Sequence, residues 1–210
     1  MINLQQANCL PQVCSSTMPR IKRFDETEIL EKAMHLFWQK GYHATSIQDL
    51  VSHLGINRAS LYSTYGDKKA LFVKAFQHYR QINTKSIREF FSAHPEVKEG
   101  FRLLFDIALR EATESPINKG CFVVNTTTEM LPDDKSTQPL VAENQANFVE
   151  LFQAYLATGV QSGQISADKD LKAIALLFFT QYNGLRVLTK ATPKIPHVEA
   201  AIHALLQLLD

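Results

Sequence analysis

The sequence predicts an all-α fold, and three features carry that prediction. Apolar residues recur at i, i+3, i+4 and i+7 in one segment after another. No segment alternates apolar and polar residues as a half-buried strand does. Gly and Pro fall between the periodic segments, where they end helices. With 210 residues, 45% of them hydrophobic, the chain is long enough for one large domain or two small ones, each with a core.

The elements follow in order. The first 17 residues are uncharged and patternless, and Met18 is a plausible start. Residues 1–18 therefore read as a flexible leader or a mis-assigned start. Helix one is expected to begin at Asp25, which forms a D-x-x-E capping pattern with Glu28. Ile29, Ala33, Leu36 and Phe37 line its buried face, Trp38 packs between helices, and Gly41 ends it. Helix two should start at Thr45, with Gln48 in the box position and Ile47, Leu50, Val51 and Leu54 on one face. Gly55 makes a turn, and Asn57 is a favoured N-cap for a short helix three. Asp67 caps helix four, whose stripe runs through Leu71, Phe72, Ala75, Phe76 and Tyr79 to about Phe91.

His94-Pro95 separates helices four and five, because proline suits a first helical position. Val97, Phe101, Leu104, Phe105 and Ala108 mark the buried face of helix five, and Ser115-Pro116 closes it. A short helix follows Gly120. Longer ones fit Leu140 to Gly159 and Asp168 to Thr189, and Pro196 opens the last. The periodic segments thus amount to about nine helices.

Composition narrows the function. The net charge is +1, yet Pro19 to Arg80 holds ten Lys or Arg against six Asp or Glu. A basic excess confined to the first third points to a negatively charged partner there. Three cysteines, Cys9, Cys14 and Cys121, lack metal spacing and suit a reducing compartment. No apolar run reaches the length of a membrane span, and no signal-peptide pattern opens the chain. A cytoplasmic protein is expected, with no membrane partner, no cofactor and no metal. The seven histidines show no metal pairing, and no catalytic constellation emerges.

The stretch Gly55 to Phe72, "GINRASLYSTYGDKKALF", combines a glycine turn with a helix that has little to bury. That pairing is the helix-turn-helix signature. The second helix of such a unit presents its N-terminal residues to base edges in the DNA major groove. Arg58 can bond guanine, Ser60 either base type, and the Ala59 methyl can meet a thymine methyl. Asn57 stands beside them. Phosphate contacts are expected from Thr45, Ser46, Tyr62, Thr64 and Lys68, the last at a helix N-terminus that already favours an anion. Gln48 can reach a base. A helical small-molecule-binding or interaction protein that does not bind DNA is the alternative.

From Ile29 to Phe72, "ILEKAMHLFWQKGYHATSIQDLVSHLGINRASLYSTYGDKKALF", the chain resembles the TetR/AcrR family of bacterial transcriptional regulators. The family pattern runs G-Y/F-x-x-T-S/T-I-x-D-I/L-A, then G-V/I-S-x-x-S/T-L-Y-x-x-F-x-x-K-x-x-L. Departures are Val51 where alanine is usual, small residues at Ser63 and Thr64 where an aromatic or histidine is common, and G-D-K in place of S-K-E.

The resemblance implies a helix-turn-helix head over residues 19–66 and an effector-binding and dimerisation domain over residues 67–210. It also implies an effector-released repressor that binds a palindromic, double-stranded operator as a homodimer through its last two helices. The expected effector is a small apolar or aromatic molecule. Its candidate lining is Phe101, Phe105, Phe122, Phe148, Phe152, Phe178 and Tyr182, with Asn125 as a polar point; ordinary core packing explains the same residues. Cys121, in "KGCFVVN", resembles a G-C-[LF]-x-x-N segment of some family members, which raises an electrophile-sensor role beside that of a buried structural cysteine.

Overall fold

The computed structural model describes residues 25–114, 118–192 and 194–210, and among them nine α-helices and no strand. The leader, with Cys9, Cys14 and Met18, and the Ser115-Pro116 stop lie outside the described residues. The first four helices are α1 (Glu26–Lys40), α2 (Ile47–Leu54), α3 (Arg58–Tyr65) and α4 (Lys68–Ala93). Then come α5 (Val97–Glu114), α6 (Phe122–Met130), α7 (Gln138–Gln161), α8 (Leu171–Ala191) and α9 (Val198–Leu206).

Local chemistry explains most boundaries, and several differ from the sequence reading. Asp25 caps α1 by accepting from Thr27 N at 2.8 Å, while Glu28 pairs with Lys32 instead of closing a box. Helix α2 is capped by Ser46 and not Thr45, and its box partner is Asp49 and not Gln48. Asn57 and Asp67 cap α3 and α4 as expected. Helices α5 and α9 start two residues beyond Pro95 and Pro196, and Asp170, not Asp168, caps α8. At α2 and α8 the shift has one cause: a carboxylate or hydroxyl caps only where backbone N–H groups converge on it.

Two apolar clusters result. One joins α1 to α4 with residues of α6 and α7, including Phe37, Leu61, Phe72, Phe76, Phe122 and Met130. Trp38 packs between helices as expected, with its ring centroid 5.1 Å from that of Tyr79 and its Nε1 donating to Gly120 O at 3.2 Å. The first three helices therefore share a core with the middle of the chain.

Polar links reinforce that junction. The Glu129 carboxylate of α6 accepts from Tyr42 N at 3.0 Å and His43 N at 2.8 Å. Gly41, at φ 88°, lies so close that a Cβ there would sit 2.8 Å from Glu129 Oε1. Lys69 of α4 bonds to Asp134 and, at 2.6 Å, to Thr137.

The second cluster fills the space between α4, α5, α7, α8 and α9. Phe101, Phe105, Phe152 and Phe178 are wholly buried and interlock; the Phe101 and Phe178 centroids lie 4.6 Å apart, edge to face. Such pairs gain from close contact. Phe101, Phe105, Phe148, Phe152, Phe178 and Tyr182 belong to this packed core, while Cys121 and Phe122 belong to the head's cluster. Asn125 is engaged with Lys119 O and Lys190. None of the nine lines the cavity of about 930 Å³ that opens between α4 and α7.

Candidate nucleic-acid interface

The interface is built by α2 and α3, joined through Gly55 in the left-handed region at φ 67°. Leu50 and Leu54 of α2 and Leu61 and Tyr65 of α3 turn inward and are buried. This leaves the other side of α3 free. Arg58, Ala59, Tyr62 and Ser63 are exposed there, and Tyr62 shows 44% of its surface to solvent. The guanidinium of Arg58 has no hydrogen bond or ion pair among the described residues. One face of a two-turn helix thus offers a fork-shaped donor, a methyl group, a phenol and a hydroxyl.

Each expected contact residue has a definite place. The Asn57 side chain accepts from Ser60 N at 2.8 Å, so its carbonyl is committed to capping. Ser60 is half-buried behind it. Ser46 is exposed, but its Oγ accepts from Asp49 N at 3.0 Å and donates to the Asp49 carboxylate at 2.7 Å. That carboxylate also takes the Lys40 ammonium at 2.6 Å. Lys40 first and Ser46 second hold the Asp49 carboxyl well below its usual range. Gln48 is exposed in the first turn of α2, with its amide within 3.4 Å of Ser52 Oγ.

Two residues face inward. Thr45 is wholly buried, and its hydroxyl donates to Gly41 O at 2.6 Å. The Thr64 hydroxyl is buried without a hydrogen-bond partner. Neither hydroxyl is presented to a phosphate in this conformation. Ser63, which the sequence reading left out, takes the outward position instead, although its Oγ donates to Ser60 O at 3.1 Å. The signal was available: positions 58, 59, 62 and 63 share a helix face, and 64 lies round the corner.

Lys68 stands at the first position of α4, with its ammonium 4.3 Å from the centroid of the Tyr42 ring. Burial is the main cause holding its pKa below the ordinary lysine value. The ring seats the cation by its electron-rich face. Tyr42 is thus a supporting residue that periodicity did not single out; its signal is the aromatic position after Gly41 in the family pattern.

This geometry can be set beside known proteins. A family model described as "Bacterial regulatory proteins, tetR family" matches residues 29–75. A second, the tetracyclin-repressor-like C-terminal domain, matches residues 98–205. The chain belongs to the TetR family. Among its relatives is YezE of Bacillus subtilis (strain 168), an uncharacterized HTH-type transcriptional regulator. The two are 30% identical over 92% of this chain and 100% of that protein. The transcriptional repressor ComR of Escherichia coli (strain K12) is 28% identical over 78% of this chain and 79% of its own length.

Among solved structures, a cysteine mutant of the TetR family regulator CifR, complexed with double-strand operator DNA, superposes with a TM-score of 0.78. Its sequence identity is 26%, over 90% of this chain and 98% of that one. TetR membership accounts for the α2–α3 unit and the helical remainder together. The protein is a DNA-binding transcriptional regulator and not an enzyme. No described helix of this TetR chain is long and apolar enough to cross a membrane.

Proposed function

We propose that the protein is a homodimeric repressor, acting in the cytoplasm, that binds a palindromic operator and leaves it when an effector binds. The observation that carries DNA reading is the outward face of α3, where Arg58, Ala59, Tyr62 and Ser63 stand exposed over a buried Leu61. In this reading Arg58 contacts a base edge, Ala59 and Ser60 complete the reading surface, and Tyr62, Lys68 and the N-terminus of α2 at Ser46 meet phosphates. Gln48 reaches toward the groove from α2.

The dimer reading is supported by α8. Leu176, Leu177, Val187 and Leu188 are each about half exposed on it, Leu188 at 58%. Gly184 lies between them, with open space where a side chain would project. An apolar stripe with a gap at its centre suits close approach of a second copy. Two copies joined there present two α3 helices, as a two-fold operator requires.

The test is operator binding by Arg58→Ala, measured by fluorescence anisotropy on DNA selected by the wild-type chain. A loss of about 1–3 kcal/mol, with relaxed preference at one base position, is expected. Unchanged affinity and unchanged preference would remove Arg58 from the reading role.

A further inference from the structure

Helices α4 and α7 run side by side in the same direction, and two polar bridges tie them and the segments that follow them. At one end Arg80 pairs with Glu143 at 3.0 Å. At the other, Gln164 accepts from Val97 N at 2.8 Å and donates to Pro95 O at 3.2 Å. Between the two bridges a cavity of about 930 Å³ opens along the two helices. Thr84, Arg88, Phe91 and Ser92 form the α4 wall. Asn147, Leu151, Ala154, Tyr155 and Thr158 are the main α7 wall. Phe91 and Tyr155 stack at 3.9 Å to make an apolar floor.

A second cavity, of about 540 Å³, continues along the same helices and shares Thr84, Arg88 and Asn147 with the first. Its charged lining is Arg80, Lys85 and Arg88 against Glu143 alone. Arg80 is held by Glu143 and Lys85 lies 3.8 Å from Glu89, whereas Arg88 has no ion pair or hydrogen bond among the described residues. Charge is therefore sorted along the slot: cationic at the Arg80 end, apolar on the floor. Glu96 and Glu150, both exposed, also line the larger cavity. From Arg80 to Phe91 the slot runs roughly 16 Å at about 1.5 Å per residue.

We infer that the slot between α4 and α7 binds a single-chain amphiphile, with its anionic head at Arg88 and its apolar chain over Phe91, Leu151 and Tyr155. The head meets a guanidinium that lacks a partner, a charge-assisted contact. The chain covers the apolar part of the slot lining, Leu151 and the edges of Phe91 and Tyr155. The site also touches the proposed regulation, on which only its consequence at DNA rests. Helix α4 carries Lys68 at one end and one wall of the slot at the other, so a molecule wedged against α7 moves the helix that holds the head.

Calorimetric titration of the full chain with octanoate, dodecanoate and hexadecanoate, kept below aggregation, tests this. Dodecanol and dodecyltrimethylammonium serve as controls, and Arg88→Gln and Ala154→Trp as variants. Both positions are exposed, and circular dichroism checks that the variants fold. At least one acid is expected to bind, about tenfold or more tighter than the alcohol, with the ammonium not bound. Arg88→Gln should bring the acid down to the level of the alcohol, and Ala154→Trp should block both.

Binding untouched by either variant would place the site elsewhere. An alcohol bound as tightly as the acid would remove the anionic head, and failure of all three acids would overturn the assignment. Binding that obeys both variants yet leaves DNA affinity unchanged would keep the slot and sink effector release.

Discussion

At the scale of single residues, the interface divides by what each side chain has left to offer. Arg58 is unpaired among the described residues and exposed, so its hydrogen bonds are available to a base. Lys68 is seated on the Tyr42 ring, partly buried, and suits contact with a phosphate, which has no sequence identity. The two substitutions should therefore differ in kind. Lys68→Ala is expected to weaken binding to all sequences alike and to lower the salt slope by about one. Affinity measured across salt concentrations on selected and scrambled DNA checks this; a sequence-dependent loss would make Lys68 a reader. The identity of these residues was legible in the sequence, because the motif places them. The inward turn of Thr45 and Thr64 was not, because it depends on where the helix axes settle.

At the scale of elements, capping decides whether so short a helix as α3 persists. Its residues RASLYSTY bury only Leu61 and Tyr65, and isolated helices of this length do not hold in water. Asn57→Ala is expected to cost about 1 kcal/mol of stability, read as a lowered thermal midpoint. An unchanged midpoint would show that packing alone orders α3. The sequence reading found the caps of α3 and α4 but misplaced that of α2 by one residue. Thr45-Ser46 offers two candidate hydroxyls, and only the one on a chain already turning into the helix meets the N–H groups. Thr45 goes to the core instead, its hydroxyl satisfied by Gly41 O.

At the scale of the whole molecule, the Glu129 clamp couples the head to the core, and the Lys69–Asp134 pair ties the start of α4 to the segment between α6 and α7. Lys69 first and Ser136 second hold the Asp134 carboxyl at about 2, below the unfolded value of about 4. A depressed folded pKa gives stability that is present above the unfolded value and lost as pH falls through the folded one. Asp134→Asn should therefore unfold at lower temperature than wild type at neutral pH. The difference should close as pH falls from about 4 through about 2. A gap that persists in acid would mean that the pair is not its cause. The exposed stripe of α8 belongs to this scale too. Leu188→Glu is expected to convert a dimer to a monomer in light scattering and to weaken operator binding, since one head alone grips half a site. A Leu188→Glu variant that remains dimeric would move the interface off α8.

Sequence alone determined the helices and the outward side of α3 at Arg58, Ala59 and Tyr62, because both are local. Periodicity sets which side of a helix is apolar, and the motif sets which polar residues follow the glycine turn. Only the tertiary structure decided where space remains. The aromatic residues at 101, 105, 148, 152, 178 and 182 read equally as a packed core or as a ligand lining. In the structure they pack within the core. Open volume lies between α4 and α7, lined by Thr84, Ser92, Ala154 and Thr158 among others. Whether two facing stripes touch depends on the distance between helix axes. That distance depends on contacts between residues far apart in the chain, such as Arg80 with Glu143 and Phe91 with Tyr155.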